Sequence, residues 1–367
     1  MQMNDKIFLS DKRTTRKGEE KERSWRWHKV LSAQLSESYM RIGDEAKAIR
    51  VKVCASWLQF RNYIEYQDEV KKLHGANFCQ VRLCPMCSGR RSYKIFGQVS
   101  KIMNYMTGNH EYEYIFLTLT VRNVVGNDLS KTIDEMLLAW KAMTRTKEFK
   151  KLAKGYFRAL EVTKKPDKDF HPHIHVIIAV NKSYFDRTGG RGYLHHREWM
   201  GLWRRCMNLD YDPRVDIRKV KEDVRKKDKK NISYAGAVAE VAKYTVKGSE
   251  VIIDPYRVAK NSGIPTDGEA YEKLTVMCQN YTDEMVSTLD GALKGRRLVS
   301  FGGKMREVHK LLNLEDPTKG DLINTDNEEK MHEGLKYVVE TYEWQVAYMN
   351  YVLVKVNDGC PPDLATE

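Results

Sequence analysis

The chain has 367 residues, enough to bury a sizeable core and to form about two or three domains. Hydrophobic residues make up 41% and charged residues 31%, the balance of a globular protein, and a net charge of +13 favours a polyanionic partner, nucleic acid ahead of an anionic membrane surface. No apolar run approaches the roughly 20 residues that span a bilayer, and the N-terminus lacks the apolar stretch of a secretory signal, so membrane and secreted classes are disfavoured and a cytoplasmic protein is expected.

In such a compartment the seven cysteines call for explanation as thiols or metal ligands rather than disulfides. Residues 1–45 are charge-dense without sustained apolar period and read as a basic flexible arm, with one helix near Trp25–Leu35. Ala48–Phe60 alternates like a strand. Within His74–Lys94, Cys79, Cys84 and Cys87 form C-x4-C-P-x-C, three thiols at zinc-like spacing. Cys54 is the best fourth ligand, with His74 as the alternative, for a closed, tetrahedral structural zinc site, and residues 46–97 read as a zinc-binding module; buried free cysteines are the blander alternative. Cys206, Cys278 and Cys360 read as ordinary thiols. Arg82, Arg90, Arg91 and Lys94 make a basic strip suited to DNA phosphates.

Residues 98–250 read as one α+β unit. Glu113–Val121 alternates as a strand, with Ile115, Leu117, Leu119 and Val121 on one face and Phe116, Thr118 and Thr120 on the other. Ser130–Ala153 carries helical apolar spacing. Tyr156–Thr163 and His171–Val180 flank a turn-like KKPDKDF and predict a hairpin. A short strand around VDIRKV opens a basic run that includes Arg218, Lys219 and Lys221, candidates for phosphate contact. A helix over Ile232–Lys247 follows, with Gly248 as its C-cap. Residues 251–367 read as a mostly helical region without a motif.

The segment HPHIHVII carries the chemistry. Side chains alternate on a strand, so His171, His173 and His175 share one face while Pro172, Ile174, Val176 and Ile178 turn to a core, leaving the imidazoles on an open surface. In the preceding strand Glu161 lies between the apolar Leu160 and Val162, and pairing would bring it to the histidine face. Two imidazoles and a carboxylate make a three-ligand site that suits Mn²⁺ or Mg²⁺ and does not exclude Zn²⁺. On the later helix Glu240, Tyr244 and Lys247 share a face at i, i+4 and i+7: a phenol nucleophile, a proton-accepting carboxylate and a phosphate-neutralising ammonium.

The order of FLTLTV (Phe116–Val121), ALEVT…HPHIHV (Ala159–Val176) and EVAKYTVK (Glu240–Lys247) resembles the rolling-circle replication initiators of small Gram-positive plasmids, within the HUH endonuclease superfamily, over roughly residues 50–250. The cysteine segment is similar to the N-terminal part of the same initiators. The resemblance implies an α+β fold with an HUH-type central antiparallel sheet flanked by helices, an N-terminal zinc-binding module and a mostly helical C-terminal region. It implies a metal-dependent nickase and strand transferase in which Tyr244 forms a 5′-phosphotyrosine link and frees a 3′-OH primer. His173 and His175 would hold the metal with Glu161 as third ligand, His171 being an alternative ligand or a support, and Glu240 would activate water at termination. Implied partners are plasmid origin DNA, single-stranded or hairpin, with host helicase and DNA polymerase; a homodimer is left open. Two other readings compete. A histidine-triad nucleotide hydrolase would use a histidine nucleophile and be indifferent to Tyr244, and a non-catalytic zinc-stabilised DNA-binding protein would bind DNA without cutting it.

Overall fold

A computed structural model describes residues 6–14, 20–63, 70–109, 112–164, 169–186, 192–220, 234–242, 248–324 and 336–359. The chain divides into two compact units: Met1–Arg90, Ile252–Val286 and Asp321–Glu367 form one, and Arg91–Val251 with Ser287–Gly320 forms the other. Both are mixed α+β, each built around an antiparallel sheet with helices.

The first unit pairs a short ribbon, β1 (Lys12–Thr14) with β2 (Glu20–Glu22), and then forms helix α1 (Trp25–Arg41). Leu31, Leu35 and Tyr39 recur at four-residue spacing on α1 and are fully buried, so residues 25–41 are core rather than arm. Asp44 caps α2 (Glu45–Val53) by accepting from the Lys47 N–H, and Ala55, in the left-handed region at φ 48°, turns the chain into β3 (Trp57–Tyr63). The strand expected over Ala48–Phe60 is therefore a helix end, a turn and a strand. Its apparent alternation placed Ala48 and Val51 three residues apart, which serves a helix face equally well.

Strand β4 (Val70–Ala76) pairs with β3, and α3 (Pro85–Asn109) follows the cysteine loop. The other neighbours of β3 come from the far end of the chain. β10 (Tyr337–Gln345) and β11 (Asn350–Gly359) complete the order β11-β10-β3-β4. The last third thus supplies strands as well as helices. It contributes these two strands together with helices α9 (Pro255–Ser262) and α10 (Gly268–Leu293), and the cysteine segment shares its sheet with them rather than forming a module of its own.

The second unit holds β5 (Tyr112–Thr120), β6 (Gly155–Thr163), β7 (His171–Asn181), β8 (Val215–Lys219) and β9 (Val299–Gly302) in the order β8-β5-β7-β6-β9, all antiparallel. Between the strands lie α4 (Gly126–Met143), α5 (Lys147–Leu152), α6 (His196–Met207), α7 (Ala235–Val241) and α8 (Gly248–Val251). Gly248 opens α8, and residues 243–247 before it lie outside the described residues. The predicted hairpin is β6–β7, and the Ile115/Leu117/Leu119 face carries Ile174, Val176 and Ile178 beside it, all buried. On that side Trp140 of α4 meets Tyr156 edge to face at 5.1 Å.

The edge strand β9 is fastened by Arg158, whose buried guanidinium donates to the carbonyls of Arg297 and Leu298 and to Ser300 Oγ. Gly303, at φ 54°, then turns the chain into α11 (Gly303–Leu311); a β-carbon there would stand 2.5 Å from the Lys154 carbonyl oxygen. Among the described residues no helix is long and apolar enough to cross a membrane.

Candidate metal centres and nucleic-acid contacts

Strand register builds the histidine site. His173 stands opposite Glu161 on one side and Thr120 on the other, and His175 stands between Ala159 and Thr118. Both imidazoles reach the same carboxylate oxygen: His175 Nε2 lies 3.1 Å and His173 Nε2 3.3 Å from Glu161 Oε2. Donors about 2.1 Å from a shared octahedral ion stand about 3 Å apart, so both separations match those of ligands on one divalent cation.

The outer ring nitrogens are also held. The His171 carbonyl oxygen can only accept, so His173 Nδ1, 3.1 Å away, is the donor in that contact, and Nε2 is left to face Glu161. His175 Nδ1 meets Thr118 Oγ1 at 3.0 Å. Burial pushes the Glu161 carboxyl up, but hydrogen bonds and charge from the two histidines outweigh it and hold the group well below the usual carboxylate range.

The three groups are buried, at 4% to 8% exposure, not spread on an open face. Sequence alternation could not foresee that α7 packs against β7 on this side, with Tyr234 edge-on to Tyr114 at 5.0 Å. Tyr114, Phe116, Thr118 and Thr120 belong to the histidine face by register. His171 is half-buried, its Nδ1 2.9 Å from Asn123 Oδ1, and it is not one of the three converging donors. Thr118 and Asn123 are partners that the sequence reading missed; the alternation of β5 had already put Thr118 on the correct face.

Val238 and Val241 of α7 are buried, and Glu240 is half-buried on the same helix. Tyr244, Lys247 and Lys221 lie outside the described residues. Of the basic candidates beside the sheet, Arg218 belongs to the histidine face: its guanidinium covers the Phe116 ring at 4.6 Å, and that ring lies 5.5 Å from His175. Lys219 turns to the other face and pairs with Glu113 at 2.6 Å.

The cysteine cluster gathers Cys54, Cys79, Cys84 and Cys87. Sulfur separations of 3.6 to 3.7 Å link Cys54 to Cys84 and Cys87, and Cys79 to Cys87. Four sulfurs about 2.3 Å from one tetrahedral ion stand about 3.8 Å apart, so the fit is close. Cys54 completes the group, and His74 is exposed and outside it. Without a cation the sulfurs compete for one charge. Burial raises Cys84, yet hydrogen bonds from its neighbours leave it well below the usual thiol range, while the same contacts push Cys87 up. The buried Lys29 ammonium donates to the Cys54 and Lys52 carbonyls, and Ser32 Oγ lies 3.5 Å from Cys84 Sγ; nothing in the spacing of the cysteines pointed to either residue.

The expected basic strip is drawn inward. Arg90 donates to the carbonyls of Leu322 and Ile323, Arg91 to that of Thr318, and Lys94 pairs with Glu315 at 2.5 Å; all three side chains are buried. On a helix their spacing turns them toward carbonyl-rich loops that are remote in sequence. Arg82 is half-buried.

A family model described as "Replication protein" matches residues 70–352. A "Protein rep" from Bacillus amyloliquefaciens is 36% identical, covering 95% of this chain and 98% of its own. Another from Streptococcus pneumoniae is 33% identical with 95% of each chain covered, and a "Replication protein" from Staphylococcus aureus is 32% identical over 71% of this chain and 97% of its own. Among solved structures no match was found. With a match that spans most of its length and relatives aligned nearly end to end, the chain belongs to the Rep family of replication proteins.

Proposed function

We propose that this protein starts rolling-circle replication of a plasmid by nicking one strand at the origin and joining itself to it. The observation that carries the reading is the convergence of Glu161, His173 and His175 on one point, with α7, the helix that leads toward Tyr244, packed against the histidine strand. A divalent ion held there, Mn²⁺ or Mg²⁺, would polarise the scissile phosphate and stabilise its developing charge. Tyr244 Oη attacks phosphorus as the phosphorus–O3′ bond breaks; the tyrosine loses its proton, and the departing 3′ oxygen gains one to become the primer hydroxyl. Glu240, four residues earlier in the chain, takes a proton from Tyr244 or from the water that ends the cycle, and Lys247 and Lys221 neutralise phosphate. Thr118 and the His171 carbonyl orient the two imidazoles.

The cysteine cluster holds structural Zn²⁺ in this reading, and origin DNA, single-stranded or extruded as a hairpin, is the partner. Host helicase and polymerase would act on the freed end.

The test is a labelled single-stranded origin oligonucleotide incubated with Mn²⁺ and resolved on a denaturing gel. A covalent protein–DNA adduct is expected from wild type. It should vanish in Tyr244→Phe, in the double variant His173→Ala/His175→Ala, and with chelator. Cleavage persisting in Tyr244→Phe without an adduct would overturn the tyrosine assignment and leave a metal-dependent hydrolase.

A further inference from the structure

A cavity of about 760 Å³ opens in the unit that contains the cysteine cluster, lined entirely by that unit's own residues. Its walls come from the stretch before α1, the first turns of α1, the start of α9 and the β10–β11 connection. The volume lies in the range of small-ligand sites. Its lining is neither greasy nor simply charged; it combines flat rings with guanidinium groups.

Trp25 and Trp27 enter from α1, and Tyr256, 54% exposed, enters from α9. The Arg257 guanidinium stacks on Trp27 at 4.3 Å from the ring centre. Arg26 is fixed by donation from its Nε to the Met349 carbonyl at 2.8 Å, and Arg23 lies 3.4 Å from Asp11. Three guanidiniums therefore face two carboxylates, and both carboxylates are engaged. Asp254 caps α9 through the Tyr256 N–H, and Asp11 accepts from Trp25 Nε1 at 2.7 Å. Gln34, half-buried in the lining, has an Oε1 that is buried and finds no donor among the described residues.

An unpaired nucleotide meets each of these features. Its base offers a π face to a tryptophan or tyrosine, its ring N–H or exocyclic amine supplies the donor that Gln34 lacks, and its phosphate matches an arginine. A base within a duplex presents neither face. We infer that this cavity binds an unpaired nucleotide of a DNA strand, with the base stacked on Trp27 or Tyr256 and the phosphate held by Arg26 or Arg257. The inference rests on DNA as the partner, as in the function proposed above, but not on the nicking chemistry. It gives the protein a way to recognise a looped or single-stranded origin segment through a base contact, which phosphate contacts alone do not supply.

The test uses the full-length protein and a mixed-sequence single-stranded oligonucleotide in which 5-iododeoxyuridine replaces thymidine. Irradiation and peptide mapping should place a cross-link on Trp27 or Tyr256; cross-links confined to other segments, or none, would overturn the assignment. In parallel, Trp27→Ala should weaken single-strand binding about tenfold, the effect of losing one stacked base, while Trp27→Phe stays near wild type and duplex binding is unchanged. Equal loss for single strand and duplex, or no loss for single strand, would count against the pocket. Arg257→Gln should lower the slope of log affinity against log salt by about 0.7. Tyr244→Phe separates the two readings. If it abolishes the adduct yet keeps the Trp27 or Tyr256 cross-link, both stand; an adduct formed by wild type without that cross-link would sink the pocket alone, and the cross-link without any adduct would sink the nicking reading alone.

Discussion

The cysteine cluster and the histidine–carboxylate cluster differ in where along the chain their donors come from and in how many sides they leave open. Cys54 precedes β3, Cys79 follows β4, and Cys84 and Cys87 flank the start of α3, so a whole hairpin must fold before the four sulfurs meet. All four then lie within 4.8 Å of one another. Glu161, His173 and His175 instead project from two adjacent strands whose ladder sets their spacing, and they supply only three donors. A set closed by protein on every side ties folding to its cation, whereas an open set prearranged by backbone hydrogen bonds leaves room for a substrate oxygen. The charge balance differs as well. Four thiols cannot ionise together without a cation, while two imidazoles already steady one carboxylate.

The contrast would break most visibly at the cysteines. If the cluster holds zinc as proposed, Cys84→Ser should release it and unfold the first unit, because a structural zinc site contributes on the order of 10 kcal/mol to folding. Metal content and a thermal melt check this; a variant that melts with wild type and keeps its zinc would show that the cluster does not support the fold. The double variant His173→Ala/His175→Ala, expected under the proposed function to lose the adduct, should by the same logic remain folded.

A smaller effect sharpens the other side of the comparison. In chelator, Glu161 has a depressed folded pKa, so between that value and the unfolded value of 4.5 the unfolded chain binds more protons. Stability from this group is therefore complete above about pH 4.5 and is lost as pH falls toward the folded pKa. Melts of the second unit across that range, wild type against Glu161→Gln, should show a steeper acid loss in wild type, and parallel curves would remove the carboxylate from the account. The smallest effect belongs to Thr118→Val, which takes the hydroxyl from His175 Nδ1 and should weaken Mn²⁺ binding about tenfold, with Thr118→Ser restoring it. Isothermal titration would read it, and unchanged affinity would make Thr118 a packing residue only.

Much of the site was legible from local pattern. A strand's two-residue period puts His173 and His175 on one face, and hairpin pairing brings Glu161 beside them, because both follow from backbone geometry within a short stretch of chain. The cysteine spacing likewise named three of the four sulfurs. What failed to show were contacts between distant segments. Arg90, Arg91 and Lys94 read as a DNA-facing strip because nothing nearby in sequence reveals the Leu322, Thr318 and Glu315 oxygens that take them inward. The apparent strand over Ala48–Phe60 misled for the opposite reason, since its short apolar alternation fits a helix end as well as a strand.

The amino-acid sequence by itself determined three of the four sulfurs, the histidines and carboxylate of the second cluster with the hairpin that aligns them, and the family to which the motifs pointed. Tertiary structure alone decided that Cys54 rather than His74 joins the sulfurs, that the last third supplies strands to both sheets, and that helix α7 covers the histidine face. The physical reason is the range of the interactions. Side-chain direction along a strand or helix is fixed by the residue's own backbone, whereas which edge a strand joins, or which carbonyl a buried cation meets, depends on packing among segments hundreds of residues apart.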